Sequence, residues 1–385
     1  FMANCVFKKG MNFLTLKKIT IIIPTYNRYP YLLRLLKYYN SYNFNLNLLI
    51  IDSSSDVLEI DELKAYLARE NVIHQKYDSS QLYIEKIADG IRRVDSEYVV
   101  LCADDDFIIP SSIASSSEFL DENPDYSSAH GPYFRHPNAE TVKNSDFVLR
   151  KVKGRSISEE SSTERLKSYL FRMTGHCYHP FYAVHRTHMF NFIWSETVKY
   201  KLDLALTELF PCCLSLIYGK MKILPVFYSS RETNNYNWLN EERFNQMFNK
   251  EKINKGIEVI SSHLSEKDNT TIEEAREIVD QGIKIYENRL KERFIIKKLS
   301  NNRVTEGLND ISLFHRFKDK IRPRVRIKKL IKDVNDYRYK NCPESIRKNH
   351  FDDYMRVRRS VIGAGLTYEE LNHSRKDSAN QLSYL

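Results

Sequence analysis

The sequence predicts an α/β fold on a mostly parallel sheet, continued by a helical extension. Three observations carry this. Apolar, β-branched runs of strand length alternate four times with segments of helical period before Asp104. The runs are continuous rather than alternating, as in strands covered on both faces. From about Asn240 onward only helical patterning remains.

Ile19–Ile23 is the first such run, closed by Pro24, and leucines at helical spacing follow over Tyr31–Tyr39. Leu46–Ile51 reads as the second buried strand, ending at Asp52 and a serine cluster. Leu58–Ala68 reads as helix, Val72–Tyr77 as a third strand, and Ser80–Val94 as an amphipathic helix with Ile84, Ile87, Ala88 and Ile91 on one face. Tyr98–Ala103 is a fourth strand that runs into Asp104-Asp105-Asp106. Beyond Pro110 the pattern loosens. Helices are expected at Ile113–Leu120, Glu164–Met173 and Thr207–Tyr218, and strands at Tyr126–Phe134, Phe147–Val152, Phe181–His185 and Lys222–Tyr228. Thr271-x-x-Glu274 forms a capping box ahead of Ala275, Val279, Ile283, Tyr286 and Leu290, which share one helix face. The expected organisation is an N-terminal extension (1–17), an α/β domain (18–239) and a helical, basic region (240–385).

Apolar residues at 42% and charged residues at 28% exclude a disordered chain, and 11 Gly with 11 Pro exclude a low-complexity one. The six cysteines have no CxxC spacing, so reduced thiols are expected rather than a zinc site or disulfide framework. No apolar run approaches the ~20 residues of a membrane span. The expected location is the cytoplasm. The net charge of +9 is uneven: the segment from Arg316 to Asp333 carries +7 and the rest of the chain +2. Such a run can draw a protein to anionic lipid at the inner face of a membrane or to a polyanionic acceptor. No nucleic-acid recognition motif accompanies it, so no nucleic-acid partner is expected.

In an open parallel sheet, ligands bind beyond the carboxyl ends of the strands. Those ends carry Pro24-Thr25-Tyr26-Asn27-Arg28, then Asp52-Ser53-Ser54, then Asp104-Asp105-Asp106. The first group offers amides, hydroxyls and a cation suited to a nucleoside and its phosphates, and Asp52 can accept hydrogen bonds from a base or ribose. Three adjacent carboxylates repel one another unless a cation or solvent compensates. A divalent ion shared with diphosphate oxygens is one solution, and a solvated, helix-capping turn is the plainer alternative.

The stretches IIIPTYNR, LLIIDSSSD and EKIADGIRRVDSEYVVLCADDDFIIP resemble GT-A glycosyltransferases related to family 2, nearest a bacterial and archaeal subgroup with DSS after the second strand and a CADDDF strand end. The resemblance runs from about Lys18 to Glu232. It implies a GT-A fold, a nucleotide-sugar donor (UDP-sugar favoured), Mn2+ or Mg2+, and a glycan or lipid-linked acceptor in surface polysaccharide synthesis. The implied donor contacts are Pro24, Thr25, Tyr26, Asn27, Arg28, Asp52, Ser54, Asp104, Asp105 and Arg231, and the implied metal ligands come from Asp104, Asp105 and Asp106. A common family form is Asp-Ala-Asp-Asp. Here Ala103 replaces its first Asp, so which two of the three act stays open. An inverting transfer needs a base, which relatives place at a helix start about a hundred residues further on. Glu208 fits, with Thr207 as a cap and Pro211 tolerated near the helix start, and Asp203 is second choice. His176, His179 and His185 cluster upstream, and His185 is the candidate to complete a metal shell. Arg186 or Arg231 can neutralise diphosphate, while Lys86 and Arg92 read as surface charges. The rival readings are a sugar nucleotidyltransferase, against which the lack of glycines in PTYNR counts, and a non-catalytic scaffold.

Overall fold

The computed structural model describes residues 13–42, 45–136, 150–151, 154–171, 180–201, 204–233, 249–305 and 350–362. A short helix α1 (Phe13–Lys17) leads into β1 (Ile19–Thr25), α2 (Tyr29–Asn40), β2 (Asn47–Asp52), α3 (Asp61–Leu67), β3 (Val72–Lys76), α4 (Tyr83–Arg92) and β4 (Tyr98–Leu101). The continuous apolar runs form β1, β2 and β4 because both faces of the sheet are covered there, while the edge strand β3 buries only Val72. Ile21, Ile23, Leu48, Ile50 and Val100 belong to an apolar cluster with α2. Ile22, Leu49, Ile51, Val99 and Leu101 belong to a second cluster with α4. Alternate residues of one run thus supply two cores, the period-two rule applied to a strand buried on both sides.

The chain continues through β5 (Phe107–Ile108), α5 (Pro110–Glu122), β6 (Tyr126–His130), β7 (Tyr133–His136), β8 (Arg150–Lys151), α6 (Ser162–Leu170), β9 (Val184–Arg186), α7 (Thr187–Tyr200), α8 (Leu204–Tyr218), β10 (Lys220–Ile223) and β11 (Ser229–Glu232). The main sheet has the order β10-β6-β9-β4-β1-β2-β3, parallel except where β9 lies antiparallel between β4 and β6. A second sheet has the order β5-β11-β7-β8.

Three sequence expectations need correction. The run Tyr126–Phe134 is two strands, broken at Gly131, with β6 in the main sheet and β7 in the second. Lys222–Tyr228 is likewise no single strand: β10 ends at Ile223, Pro225 cannot continue a ladder, and β11 begins at Ser229 in the second sheet. Helix α7 was not foreseen. Its buried Phe190, Ile193, Trp194 and Thr197 carry the helical spacing.

Helices α9 (Lys250–Asp268) and α10 (Ile272–Thr305) pack on α6 and α8 and share the second apolar cluster through Ile257, Ile260, Leu264, Ala275, Val279 and Ile283. The capping box forms as read: the Thr271 amide donates to Glu274 Oε2 and the Glu274 amide to Thr271 Oγ1, both at 3.2 Å. Helix α11 (Phe351–Ile362) returns to α2, where Tyr42 donates to Asp353 at 2.9 Å and Arg356 lies 4.5 Å over the Tyr42 ring. The boundary near Asn240 and the basic segment 316–333 lie outside the described residues. No described helix is long and apolar enough to cross a membrane.

Gly131 marks the place where the chain leaves one sheet for the other. A Cβ there would sit 2.5 Å from the Val226 carbonyl oxygen and 2.9 Å from Tyr228 Cβ. Backbone cannot yield as a flexible side chain can, so Gly131→Ala is expected to cost about 1–3 kcal/mol. Urea unfolding should show a lower midpoint at unchanged slope, and stability within about 0.5 kcal/mol of wild type would mean this crossing is not tightly packed.

Candidate active site

The carboxyl ends of β1 and β2 are tied into one unit by Asn27. Its φ of 49° is left-handed, a conformation Asn tolerates better than most residues. Its backbone N–H donates to Ser54 Oγ at 2.8 Å. Its side-chain oxygen accepts from the amides of Ser55 at 2.9 Å and Asp56 at 3.2 Å. Asn27 and Ser54, read as donor contacts, therefore lock loop to loop. Pro24 and Tyr26 lie half-buried beside them.

Asp52 is fully enclosed. Oδ1 accepts from the Ser54 amide at 2.8 Å, and Oδ2 meets Tyr29 Oη at 3.1 Å, His74 Nε2 at 2.9 Å and Lys76 Nζ at 3.2 Å. Burial would raise its pKa, but the His74 and Ser54 hydrogen bonds and the Lys76 charge outweigh it and hold the carboxyl well below the usual range. His74 and Lys76 were missed from sequence. The signal was their spacing of two on the strand next to β2, where Lys76 pairs in register with Asp52.

The three aspartates turn their carboxylates to different partners. Asp104 accepts from Thr25 Oγ1 at 2.8 Å and pairs with Arg28 Nη1 at 2.9 Å; Asp105 pairs with Arg28 Nη2 at 2.8 Å. Asp106 accepts from Arg231 Nε at 2.7 Å and from the Glu232 amide at 3.1 Å. Burial pushes Asp104 up to about 6, against Arg28 and with the help of the Asp105 charge; burial likewise pushes Asp106 up to about 6, against Arg231. Beneath them lies an ion pair the sequence did not reveal, Arg34 Nη1 to Glu232 Oε2 at 3.0 Å, both side chains 1% exposed. Arg34 Nη2 also donates to the Asp105 carbonyl at 3.0 Å.

Glu208 reaches solvent from α8, and the protein around it raises its pKa above the ordinary 4.5 against the pull of Arg231. Its charge is felt by Tyr83 and Tyr182, and those phenols also feel Asp104 and Asp106 respectively. Arg231 lies 4.3 Å over the Tyr182 ring. Tyr83, Tyr182, Glu208, Arg231 and the aspartates thus lie close enough to act on one another's charge. The local reading of α8 needs correction: the helix starts at Leu204, so Thr207 is not its cap and Pro211 lies inside it. Asp203, His176 and His179 lie outside the described residues.

Three further assignments change. His185 is no candidate metal ligand here. The antiparallel β9 places it against Val99 in mid-sheet, its ring stacks 4.1 Å from Phe190, and Nε2 lies 2.5 Å from the Pro180 oxygen. Burial drives its pKa down to about 3. Arg186 binds the carbonyls of Leu120, Asn123 and Tyr126 at the end of α5 rather than an anion. Lys86 is not a surface charge. It is buried, donates to Thr25 O at 3.1 Å and Ser53 Oγ at 2.7 Å, and burial lowers its pKa to about 8. Arg92 is exposed as expected and pairs with Asp89.

Among the described residues no group of three His, Cys, Asp or Glu side chains forms a ready metal cage. Even so, oxygens of Asp104 and Asp105 converge on one cation, the Arg28 guanidinium. Magnesium-type ions commonly take one or two carboxylates and complete their shell with substrate phosphate and water. The donor set fits an ion that arrives with a diphosphate.

Residues 20–191 match the family model described as Glycosyl transferase family 2. That segment is similar to glycosyltransferase family 2, and the mixed sheet with flanking helices and a helical extension has the architecture of a GT-A fold. Among solved structures it is similar to S. aureus TarS, at 15% identity and a TM-score of 0.45 over 70% of this chain. The chain spans 43% of that TarS chain. It is also similar to TarS 1-349, at 12% identity and a TM-score of 0.46, covering 94% of this chain and 88% of that one. TarS 1-349 in complex with UDP-GlcNAc gives 12% identity and 0.47, with 94% and 89% covered. No curated protein matches the sequence.

Lys86 joins the ends of β1 and β2 from beneath the transferase site. Lys86→Ala removes the donor to the Thr25 carbonyl and to Ser53 Oγ, and is expected to cost about 1–3 kcal/mol. A denaturation midpoint equal to wild type would show that Lys86 does not hold these strand ends.

Proposed function

We propose that the enzyme transfers a sugar, with inversion, from a nucleotide diphosphate-sugar to a glycan or lipid-linked acceptor. The observation that carries this is the gathering of Asp104, Asp105, Asp106, Arg28 and Arg231, with Glu208 within reach of the Arg231 charge, at the carboxyl edge of the sheet. UDP-sugar is the favoured donor, as the commonest among relatives of this family.

Arg28 and Arg231 would receive the donor diphosphate, since a guanidinium can give two parallel hydrogen bonds to phosphate. Mn2+ or Mg2+ would be held by two of Asp104–Asp106, and when bound it neutralises charge on the departing diphosphate. Glu208 feels the Arg231 charge and is open to solvent, where an acceptor hydroxyl can reach it. As the acceptor oxygen bonds to the anomeric carbon, the bond from that carbon to phosphate breaks and the hydroxyl proton passes to Glu208. The raised pKa makes Glu208 a better base near neutral pH than an ordinary carboxylate. Asp52, closed off by Tyr29, His74 and Lys76, would meet a nucleoside only if those groups yield. The basic segment 316–333 would bring the enzyme to anionic lipid at the inner membrane face, at about 1 kcal/mol per cation near the surface.

Glu208→Gln is expected to lower kcat by about 10²–10⁴-fold while nucleotide with manganese still raises the melting temperature as in wild type. A variant with wild-type kcat removes Glu208 as the base. Glu208 must be ionised to act, and its pKa lies above 4.5, so the acid limb of the kcat–pH profile should fall above 4.5 and vanish in the variant. Neutralising the cations of 316–333 should reduce co-sedimentation with phosphatidylserine vesicles, and unchanged binding would remove the membrane role.

A further inference from the structure

Arg28 stands where a metal would stand. Its two terminal nitrogens bridge Asp104 Oδ1 at 2.9 Å and Asp105 Oδ2 at 2.8 Å, so one organic cation links two carboxylates that a divalent ion would link. The exposures run in a telling order. The Asp104 and Asp105 side chains are 3% and 9% exposed, while Arg28 is 26% exposed. The Arg28 side chain is thus the most exposed of the three, and its guanidinium occupies the oxygens of both acids.

The surroundings allow Arg28 to leave without collapse of the site. Arg28 and Arg34 both lie over the Tyr31 ring, at 4.3 and 4.9 Å. Arg34 is the buried one of the two. It is fixed by Glu232 and holds the Asp105 carbonyl, so the main chain of the acid loop keeps its brace whatever Arg28 does. Asn27 keeps the backbone before Arg28 pinned to the Ser54–Asp56 loop. The freedom that remains is that of the Arg28 side chain.

We propose that Arg28 is a resident counter-cation that bars the divalent ion from the donor-free enzyme and yields its place when a nucleotide diphosphate offers the guanidinium a new partner. This rests on the metal-dependent donor reading given above, and it adds an order of events. Three carboxylates already face two guanidinium groups, Arg28 and Arg231. A bare dication would enter a region with little unbalanced negative charge and lie against a fixed cation. The same ion arriving with a diphosphate brings its own anion, which both draws Arg28 outward and completes the metal shell. Metal binding and donor binding therefore become one event.

The test is Mn2+ binding followed by the loss of the free-ion electron paramagnetic resonance signal. Wild type and Arg28→Gln are compared, each alone and with UDP, GDP, CDP or dTDP. Arg28→Met, which keeps the aliphatic stem over Tyr31, serves if the Gln variant does not fold. The nucleotide-free variant should bind Mn2+ on the order of tenfold to a hundredfold more tightly than nucleotide-free wild type. Wild type should gain comparable affinity only with a nucleotide diphosphate. Equal affinities for nucleotide-free wild type and variant, with nucleotide-dependent binding intact, overturn the role of Arg28 and leave the donor reading standing. Absence of Mn2+ binding in every mixture overturns the metal-dependent reading itself.

Discussion

The arrangement of this enzyme's site follows from three consecutive carboxylates at the end of a buried strand. Strand β4 is enclosed on both faces, so Asp104, Asp105 and Asp106 emerge from the interior into a region with little water. Like charges so placed cannot stay ionised unless cations meet them. The protein answers with groups drawn from distant parts of the chain. Arg28 comes from the start of α2, Arg231 from β11, and hydrogen bonds come from Thr25 and the Glu232 amide. Even so, burial leaves Asp104 and Asp106 raised to about 6. The acids are held charged by their neighbours with little margin, which suits a site that must also accept another cation and an anionic donor.

Placing Arg231 opposite Asp106 requires the second sheet. Strands β6 and β10 are neighbours in the main sheet, and their continuations β7 and β11 are neighbours in the small one. The crossing is tight: the place of a Gly131 Cβ is already filled by Val226 and Tyr228. Beyond it, β11 pairs with β5, the two residues directly after Asp106. The acid loop is therefore clamped between a strand of one sheet and a strand of the other. The buried Arg34–Glu232 pair joins that clamp to α2, and its worth lies in fixing position, because two desolvated charges give little net stability.

How much of this could be read from sequence depends on range. Strands β1, β2 and β4 were legible because each is a short, continuous apolar run whose two faces feed two cores, and the capping box at Thr271 was legible because four residues contain it. The acid triplet and Glu208 were legible as chemistry. What was hidden is what a linear pattern cannot hold. Nothing local tells Lys86 that its helix leans over the ends of β1 and β2. Nothing local separates Tyr126–His130 from Tyr133–His136 except Gly131. His185 looked like a ligand because histidines crowd its neighbourhood in sequence, yet an antiparallel strand carries it into mid-sheet against Phe190. Thr207 and Pro211 suggested a helix start at Thr207, and the helix begins three residues earlier, at Leu204.

The site divides into fixed and movable parts, and the division has a physical basis. Asn27, Asp52, Lys86 and the Arg34–Glu232 pair are buried and held by hydrogen bonds or ion pairs, so moving any one would strand polar groups away from water. Arg28 and Arg231 differ. They are partly exposed, each covers acids more buried than itself, and water or phosphate can replace what they would lose. Glu208 is open to solvent. The proposed transfer, which admits two substrates and expels a diphosphate, would need its framework preorganised and its ion-pairing surface exchangeable. Burial places the boundary between the two at the layer where aspartate meets arginine.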